Sequence, residues 1–342
     1  MADHANSPPA RVLVIRVGRL GDTVMATTII EPIRRSYGTD VIIDWAAGTG
    51  YSNVVLRKDP RIRRVFPIAH RRIPWPLYAQ KRALRKRSRK NPYDLAVNLE
   101  FTPQCDDFAG FIRCKAFCGR PRVKPEHQPG QHTVDADKLL YGDFLEVDEA
   151  ADGPLIHMPP DPGLAVLPAG GKYLMLNPGF SGVLGEGYHV NRSWPMEHWR
   201  QLIRIITGRF GLSVAINGSP AEGEHFKSLL EMASVHSLFG SSIPELVNAV
   251  RDAECLISVD TGTMHLGAAM GAPTIALFGP SLPDLTGPYI SATPGKVLRS
   301  GVECQPCYGT ELRRTCEFNR CMHELLPEKV AETLGELLGR SS

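Results

Sequence analysis

Two groups of residues in this chain have types and spacings suited to chemistry. The first is Asp260-Thr261-Gly262-Thr263, with His265 two residues on. It follows a short apolar run, Leu256 to Val259, and leads into a stretch of helical composition, Met264 to Met270. A strand running through a glycine turn into a helix leaves backbone N–H groups unpaired at the helix start, where the dipole adds partial positive charge. Such a turn binds phosphate without a metal. Gly262 permits close backbone approach, Thr261 and Thr263 add hydroxyl donors, and His265 is placed to donate to a phosphate or ribose. The plainer alternative is a capped helix, with Asp260 as N-cap and His265 packed in the core. Pro178-Gly179-Phe180-Ser181, after the apolar run Tyr173 to Asn177, is a second phosphate-suited turn, with Ser181 as its hydroxyl.

The second group is Cys304-x2-Cys307-x8-Cys316-x4-Cys321. In a reducing compartment this spacing reads first as a metal site, because thiols there stay reduced. Four thiolates suit tetrahedral zinc, or iron, in a closed and therefore structural shell. The spacing is not that of a standard finger, and reduced structural cysteines are the other reading.

The elements that must position these residues alternate in type. Arg11 to Arg16 reads as a buried strand, 17–23 as a glycine turn, Val24 to Tyr37 as a helix and Val41 to Trp45 as a strand. Strands are also expected at Val65 to Ile68, Tyr93 to Leu99, Leu212 to Asn217 and Thr274 to Phe278. Helices are expected at Leu77 to Lys90, His132 to Leu145, Met196 to Phe210, Ile243 to Ala253 and Pro327 to Leu338. This is the order of parallel α/β domains. The Pro/Gly-rich stretch from Pro154 to Gly171 reads as the linker between two of them. The first turn carries only Gly18 and Gly21, not G-x-G-x-x-G, which disfavours a nicotinamide dehydrogenase.

The chain has 342 residues, 43% apolar and 22% charged, enough for two ordinary cores. No window approaches the roughly 20 apolar residues of a membrane span, and Met1 to Ala10 lacks a signal-peptide core. A cytoplasmic protein is expected. The net charge of +3 is unevenly placed: residues 57–90 hold fourteen Lys/Arg and one acid, Asp59, so the remainder carries −10. A basic segment with Ile73, Trp75, Leu77, Tyr78 and Leu84 suits an anionic membrane surface or a phosphorylated lipid. A solvated charged face is the alternative, and no nucleic-acid motif accompanies the segment.

The string D-T-G-x-x-H-x-x-A-A-x-G-x-P-x-x-x-L-F-G-x-S at 260–281 resembles the donor-binding segment of the ADP-heptose:lipopolysaccharide heptosyltransferases, family 9 glycosyltransferases of the GT-B type. R-x-x-x-x-G-D-x-x-x-x-T at 16–27 resembles the same family's first loop. The resemblance implies two Rossmann-like domains facing each other across a cleft. Residues 1–160 would bind the acceptor and 161–326 an ADP-sugar, while a helix at 327–342 would cross back to the first domain. Asp22 matches the family's catalytic base, a carboxylate able to take the acceptor hydroxyl's proton; otherwise it caps a helix. Arg192, two residues before Trp194-Pro195, matches the cation that steadies the leaving diphosphate; otherwise it is a surface arginine. Glu222, in Gly-x-Pro-x-Glu, would accept from the ribose, or else it is a favoured helix-start acid. Arg19 in the first loop, and Arg113 and Arg120 by position, would contact the acceptor.

The implied reaction is inverting transfer of heptose from ADP-heptose to a phosphorylated lipopolysaccharide inner-core acceptor at the inner membrane, with no cofactor for catalysis. The basic insertion and the cysteine cluster depart from the family's common pattern. They leave another surface glycan or a protein hydroxyl open as acceptor. A non-catalytic nucleic-acid binder using the basic segment and the cysteines is the reading of another class. It leaves the two aspartate loops unexplained.

Overall fold

The computed structural model describes residues 8–69, 78–100, 110–119, 130–161, 171–180, 182–185, 191–289 and 294–339. The chain divides into two compact units, Met1–Pro159 and Pro160–Ser342.

In the first unit the described strands are β1 (Arg11–Arg16), β2 (Ile42–Gly48), β3 (Ile62–Ile68), β4 (Tyr93–Asn98) and β5 (Cys114–Gly119). They form a parallel sheet in the order β3-β2-β1-β4-β5. β1 is central, with Val14 opposite Trp45 on one side and Val97 on the other. Both of its faces are covered, as a parallel sheet requires. Val12 and Val14 pack with Ile43, Trp45, Leu95 and Val97. Leu13 and Ile15 pack on the opposite face with Ala46, Tyr93 and Ala96. Each such buried aliphatic side chain contributes about 1.5–3 kcal/mol.

The second unit repeats the plan with β6 (Tyr173–Asn177), β7 (Ser213–Ile216), β8 (Val235–Ser237), β9 (Cys255–Val259), β10 (Thr274–Leu277) and β11 (Gly295–Leu298). Their order is β11-β10-β9-β6-β7-β8, all parallel. In each sheet the chain winds outward in opposite directions from two adjacent strands, β1 and β4 in the first, β6 and β9 in the second. The crevice past the carboxyl ends of such a pair is where doubly wound sheets bind ligands.

Several expectations shift in detail. The first helix starts at Leu20, four residues early, and is broken by a 3-10 turn at Thr27–Ile29 before resuming over Ile30–Tyr37. The helix Met196–Ile205 passes into a π turn, Ile206–Phe210, closed by left-handed Gly211. The terminal helix Pro327–Leu337 packs Val330, Ala331 and Leu334 into the second unit's core, with Leu202 and Ile203.

Candidate active site

In the first unit the candidate residues lie beyond β1 and β4. Arg16 closes β1 and is 5% exposed. Its Nη1 donates to the Leu99 carbonyl at 2.6 Å, just past β4, and its Nη2 to Asp22 Oδ1 at 3.0 Å. Arg16 therefore ties the switch-point strands together and holds one oxygen of Asp22. The other oxygen, Oδ2, accepts from the Arg19 backbone N–H at 3.0 Å, which caps the helix Leu20–Ala26. The capping alternative is thus realised, yet the side chain remains 39% exposed. A carboxylate oriented from behind and open in front is the arrangement a general base needs.

Glycine makes the loop possible. A Cβ at Gly18 would stand 2.5 Å from Asp22 Cβ and 2.7 Å from its Oδ2. Glu100, 5% exposed, accepts from the Val17 backbone N–H and fixes the loop from the β4 side. Arg19 is exposed on this loop.

Arg113 lies elsewhere. Its carbonyl accepts from Tyr93 N, and its own N–H donates to Ser88 Oγ, at the amino end of β4. Because β4 and β5 run parallel, it stands one strand length, on the order of 17 Å, from the edge carrying Asp22. The described residues therefore do not bring Arg113 together with Asp22. Arg120 lies outside the described residues.

In the second unit the candidate residues lie beyond β6 and β9. β9 ends at Val259, Asp260 follows it, and Thr261 caps the helix Gly262–Ala269, its Oγ1 accepting from Thr263 N at 3.3 Å. The cap is Thr261, not Asp260, which frees the aspartate for another task. Arg192 Nη1 donates to the Asp260 carbonyl at 3.1 Å and to its Oδ2 at 3.3 Å. The guanidinium also stacks over the Phe180 ring at 4.6 Å. Both hydrogen bonds use Nη1, so Nε and Nη2 stand outside this pair. Thr263 and His265 are buried in the helix's first turn.

Glu222, 8% exposed, serves a cap: its Oε2 accepts from the N–H and the hydroxyl of Ser219, both at 2.6 Å. Its Oε1 lies against Gly179, where a Cβ would stand 2.4 Å away. The loop after β6 is held by Asn177 Nδ2 donating to the Gly179 carbonyl at 2.9 Å, with Asn217 Nδ2 on Asn177 Oδ1 at 2.7 Å. Asp260, Arg192, Phe180 and Glu222 are thus brought to one sheet edge. Ser181 lies outside the described residues.

The cysteines share a segment without forming a shell. Cys304 is exposed, Cys316 half-buried, and Cys307 and Cys321 buried; all four are free thiols. Burial, with the neighbouring thiol charges, pushes Cys321 up to about 11 and also raises Cys307. Four thiols are the right chemistry for zinc or iron. Among the described residues, however, no three His, Cys, Asp or Glu side chains are grouped to hold an ion.

Sequence reasoning missed Arg16 as a brace, Glu100 and Phe180. A charged residue ending an all-apolar strand was the signal for Arg16. Nothing local marks the other two.

Two doubly wound parallel-sheet units in one chain, the second with a helix start at its switch point, are the architecture of the GT-B class. Residues 162–317 match the model for glycosyltransferase family 9 (heptosyltransferase). The chain is 27% identical to lipopolysaccharide heptosyltransferase 1 of Pseudomonas aeruginosa, over 96% of this chain and 98% of that one. Its fold is similar to that of the family 9 glycosyl transferase from Veillonella parvula, with a TM-score of 0.78, 20% identity and 97% and 98% of the two chains covered. It is also similar to E. coli heptosyltransferase WaaC with ADP, with a TM-score of 0.74, 19% identity and 96% and 99% coverage. The second unit matches the family 9 glycosyltransferase model, and the whole chain is similar to the heptosyltransferases of that family.

Proposed function

We propose that this enzyme transfers heptose from ADP-heptose to a phosphorylated inner-core lipopolysaccharide acceptor, with inversion. The observation that carries this reading is the Arg192–Asp260 pair at the head of the helix Gly262–Ala269, on the carboxyl edge of a parallel sheet. The relatives' names supply the sugar and the acceptor class.

In the step proposed, an acceptor hydroxyl oxygen attacks the anomeric carbon and Asp22 takes its proton. The bond from that carbon to the diphosphate oxygen breaks, and its electrons stay on ADP. Arg192, through Nε and Nη2, and the Gly262 N–H meet that charge as it develops, with the Thr261 and Thr263 hydroxyls as further donors. Ser181 and His265 would add donors to the diphosphate or ribose, and Glu222 would accept from the ribose through Oε1. Arg19 would meet the acceptor's phosphate. We place the enzyme on the cytoplasmic face of the inner membrane, held by its exposed basic residues.

The test is ADP release from ADP-heptose with a core-lipid acceptor. Asp22→Asn should lower acceptor-dependent release about 10²-fold or more while ADP still binds. Equal rates in both proteins would remove Asp22 from the chemistry. Failure of the wild type to bind ADP would overturn the donor assignment.

A further inference from the structure

Arg192 sits in a loop, residues 191–195, between the end of the β6 turn and the helix Met196–Ile205. Nothing in its own secondary structure fixes it. The segment that fixes it is far away in sequence and carries the cysteines. Asn319 Nδ2 donates to the Ser193 carbonyl at 2.8 Å and to the Asn191 carbonyl at 3.4 Å, one on each side of Arg192. Asn191 Nδ2 donates to the Arg313 carbonyl at 3.3 Å, and the Trp194 indole N–H donates to the Leu325 carbonyl at 2.8 Å. Met322, fully buried, fills the space beside Gly279, where a Cβ would stand 2.7 Å from its sulfur.

We infer that Asn319 is the positioning residue for Arg192, and that the segment 313–325 is the shelf on which the donor-site cation rests. The inference rests on the proposed action of Arg192 on the diphosphate. The guanidinium is held in front by Asp260 and Phe180, and its backbone is held from behind by one side-chain amide. That amide supplies donors to both flanking carbonyls. A carboxylate of the same shape would set acceptor against acceptor, and leucine would fill the volume with no donor. Misplacing a charged group by a fraction of an ångström at a reacting centre is enough to lose much of its effect.

The experiment compares Asn319→Leu, Asn319→Asp and Arg192→Ala, singly and with each Asn319 change combined with Arg192→Ala, in the full chain. It reads donor kcat/KM, ADP affinity by calorimetry and the melting temperature. With Arg192 present, each Asn319 variant should lose about tenfold in donor kcat/KM. In the Arg192→Ala background the same change should cost less than about twofold, because the residue acts through a group no longer there. Equal losses in both backgrounds would overturn the inference and leave Asn319 a general stabiliser. Asn319→Asp keeps the side-chain shape, so it decides the matter should Asn319→Leu fail to fold; wild-type kinetics there would also overturn the inference. If Arg192→Ala is impaired and neither Asn319 variant is, the inference alone fails. If Arg192→Ala matches wild type, the role of Arg192 fails and the inference with it.

Discussion

Two glycines, one in each unit, leave room for a carboxylate. At Gly18 an added methyl would meet Asp22 Cβ at 2.5 Å and Oδ2 at 2.7 Å, closer than real Cβ contacts come. The Asp22 Cβ belongs to the first turn of a helix and cannot swing aside, so the helix start must move. Gly18→Ala should therefore lower kcat by about tenfold or more, since small displacements of a base are costly. ADP affinity should stay at the wild-type value, because the donor residues belong to the other unit. At Gly179 the same methyl would meet Glu222 Oε1 at 2.4 Å. Gly179→Ala should weaken ADP binding by about tenfold, as expected when one good hydrogen bond to a ligand is lost. It should do so without altering the Asp22 half. Calorimetry and saturation kinetics on the two variants would separate these effects; wild-type ADP affinity in Gly179→Ala would deny Glu222 a role in donor binding. At this scale the motifs locate Asp22 and Asp260 at the carboxyl edges of their sheets, whereas position in the chain alone does not locate a side chain. Arg113 sits at the amino end of its strand, and only the pairing of Tyr93 with Cys114 reveals that.

Elements were legible in proportion to how deeply they are buried. β1, β4, β6 and β9 are central and covered on both faces, so their sequences are continuous apolar runs. β5, β8 and β11 are edge strands with exposed or half-exposed positions, and their sequences (CKAFCG, VHS and GKVL) do not stand out from loops. The cysteine segment was legible as a cluster in sequence but not as a geometry. Its thiols should behave as free groups of graded access. Exposed Cys304 should alkylate first. Cys321, raised to about 11 against an ordinary 9, should still be gaining reactivity at pH 10, because only the thiolate attacks. The linkage has a definite sign. A thiol whose folded value is raised contributes stability that is full below about 9 and is lost as pH rises through about 11. Peptide mapping after timed iodoacetamide treatment at several pH values checks both points. Uniform protection of all four thiols, relieved by a chelator, would instead establish a bound metal and overturn the reading of free thiols.

For the whole molecule, the decisive feature is where the positive charge of residues 57–90 ends up. The sequence suggested an amphipathic helix offering Tyr78 and Leu84, along with Leu77, to a lipid surface; Leu77 lies outside the described residues. The structure spends the other two inward. Leu84 is fully buried in the first unit's core, with Tyr78 packed against that core. The Tyr78 hydroxyl bonds to Ala69 N and the Pro67 carbonyl. Arg87, with Arg11 and Arg63, anchors on the fully buried carboxylate of Asp44. The helix Ala79–Lys90 leaves Arg82, Lys86, Arg89 and Lys90 outward, with only the small or polar Ala79, Gln80 and Ala83 exposed beside them; Arg57, Lys58 and Arg64 are exposed elsewhere in the same unit. Attachment to an anionic surface through this helix would therefore be electrostatic; Ile73 and Trp75 lie outside the described residues. At roughly 1 kcal/mol per basic residue near such a surface, several acting together suffice at low salt, and screening removes them within a Debye length of about 8–10 Å at physiological salt. The wild type should sediment with vesicles containing phosphatidylserine at low ionic strength and release at high salt, with no binding to purely zwitterionic vesicles. Reversing Arg82, Lys86, Arg89 and Lys90 to glutamate should abolish sedimentation while leaving turnover on a lipid-free acceptor unchanged. Salt-resistant binding would mean that apolar residues enter the bilayer after all, and equal binding by the charge-reversed variant would move the membrane contact to another face.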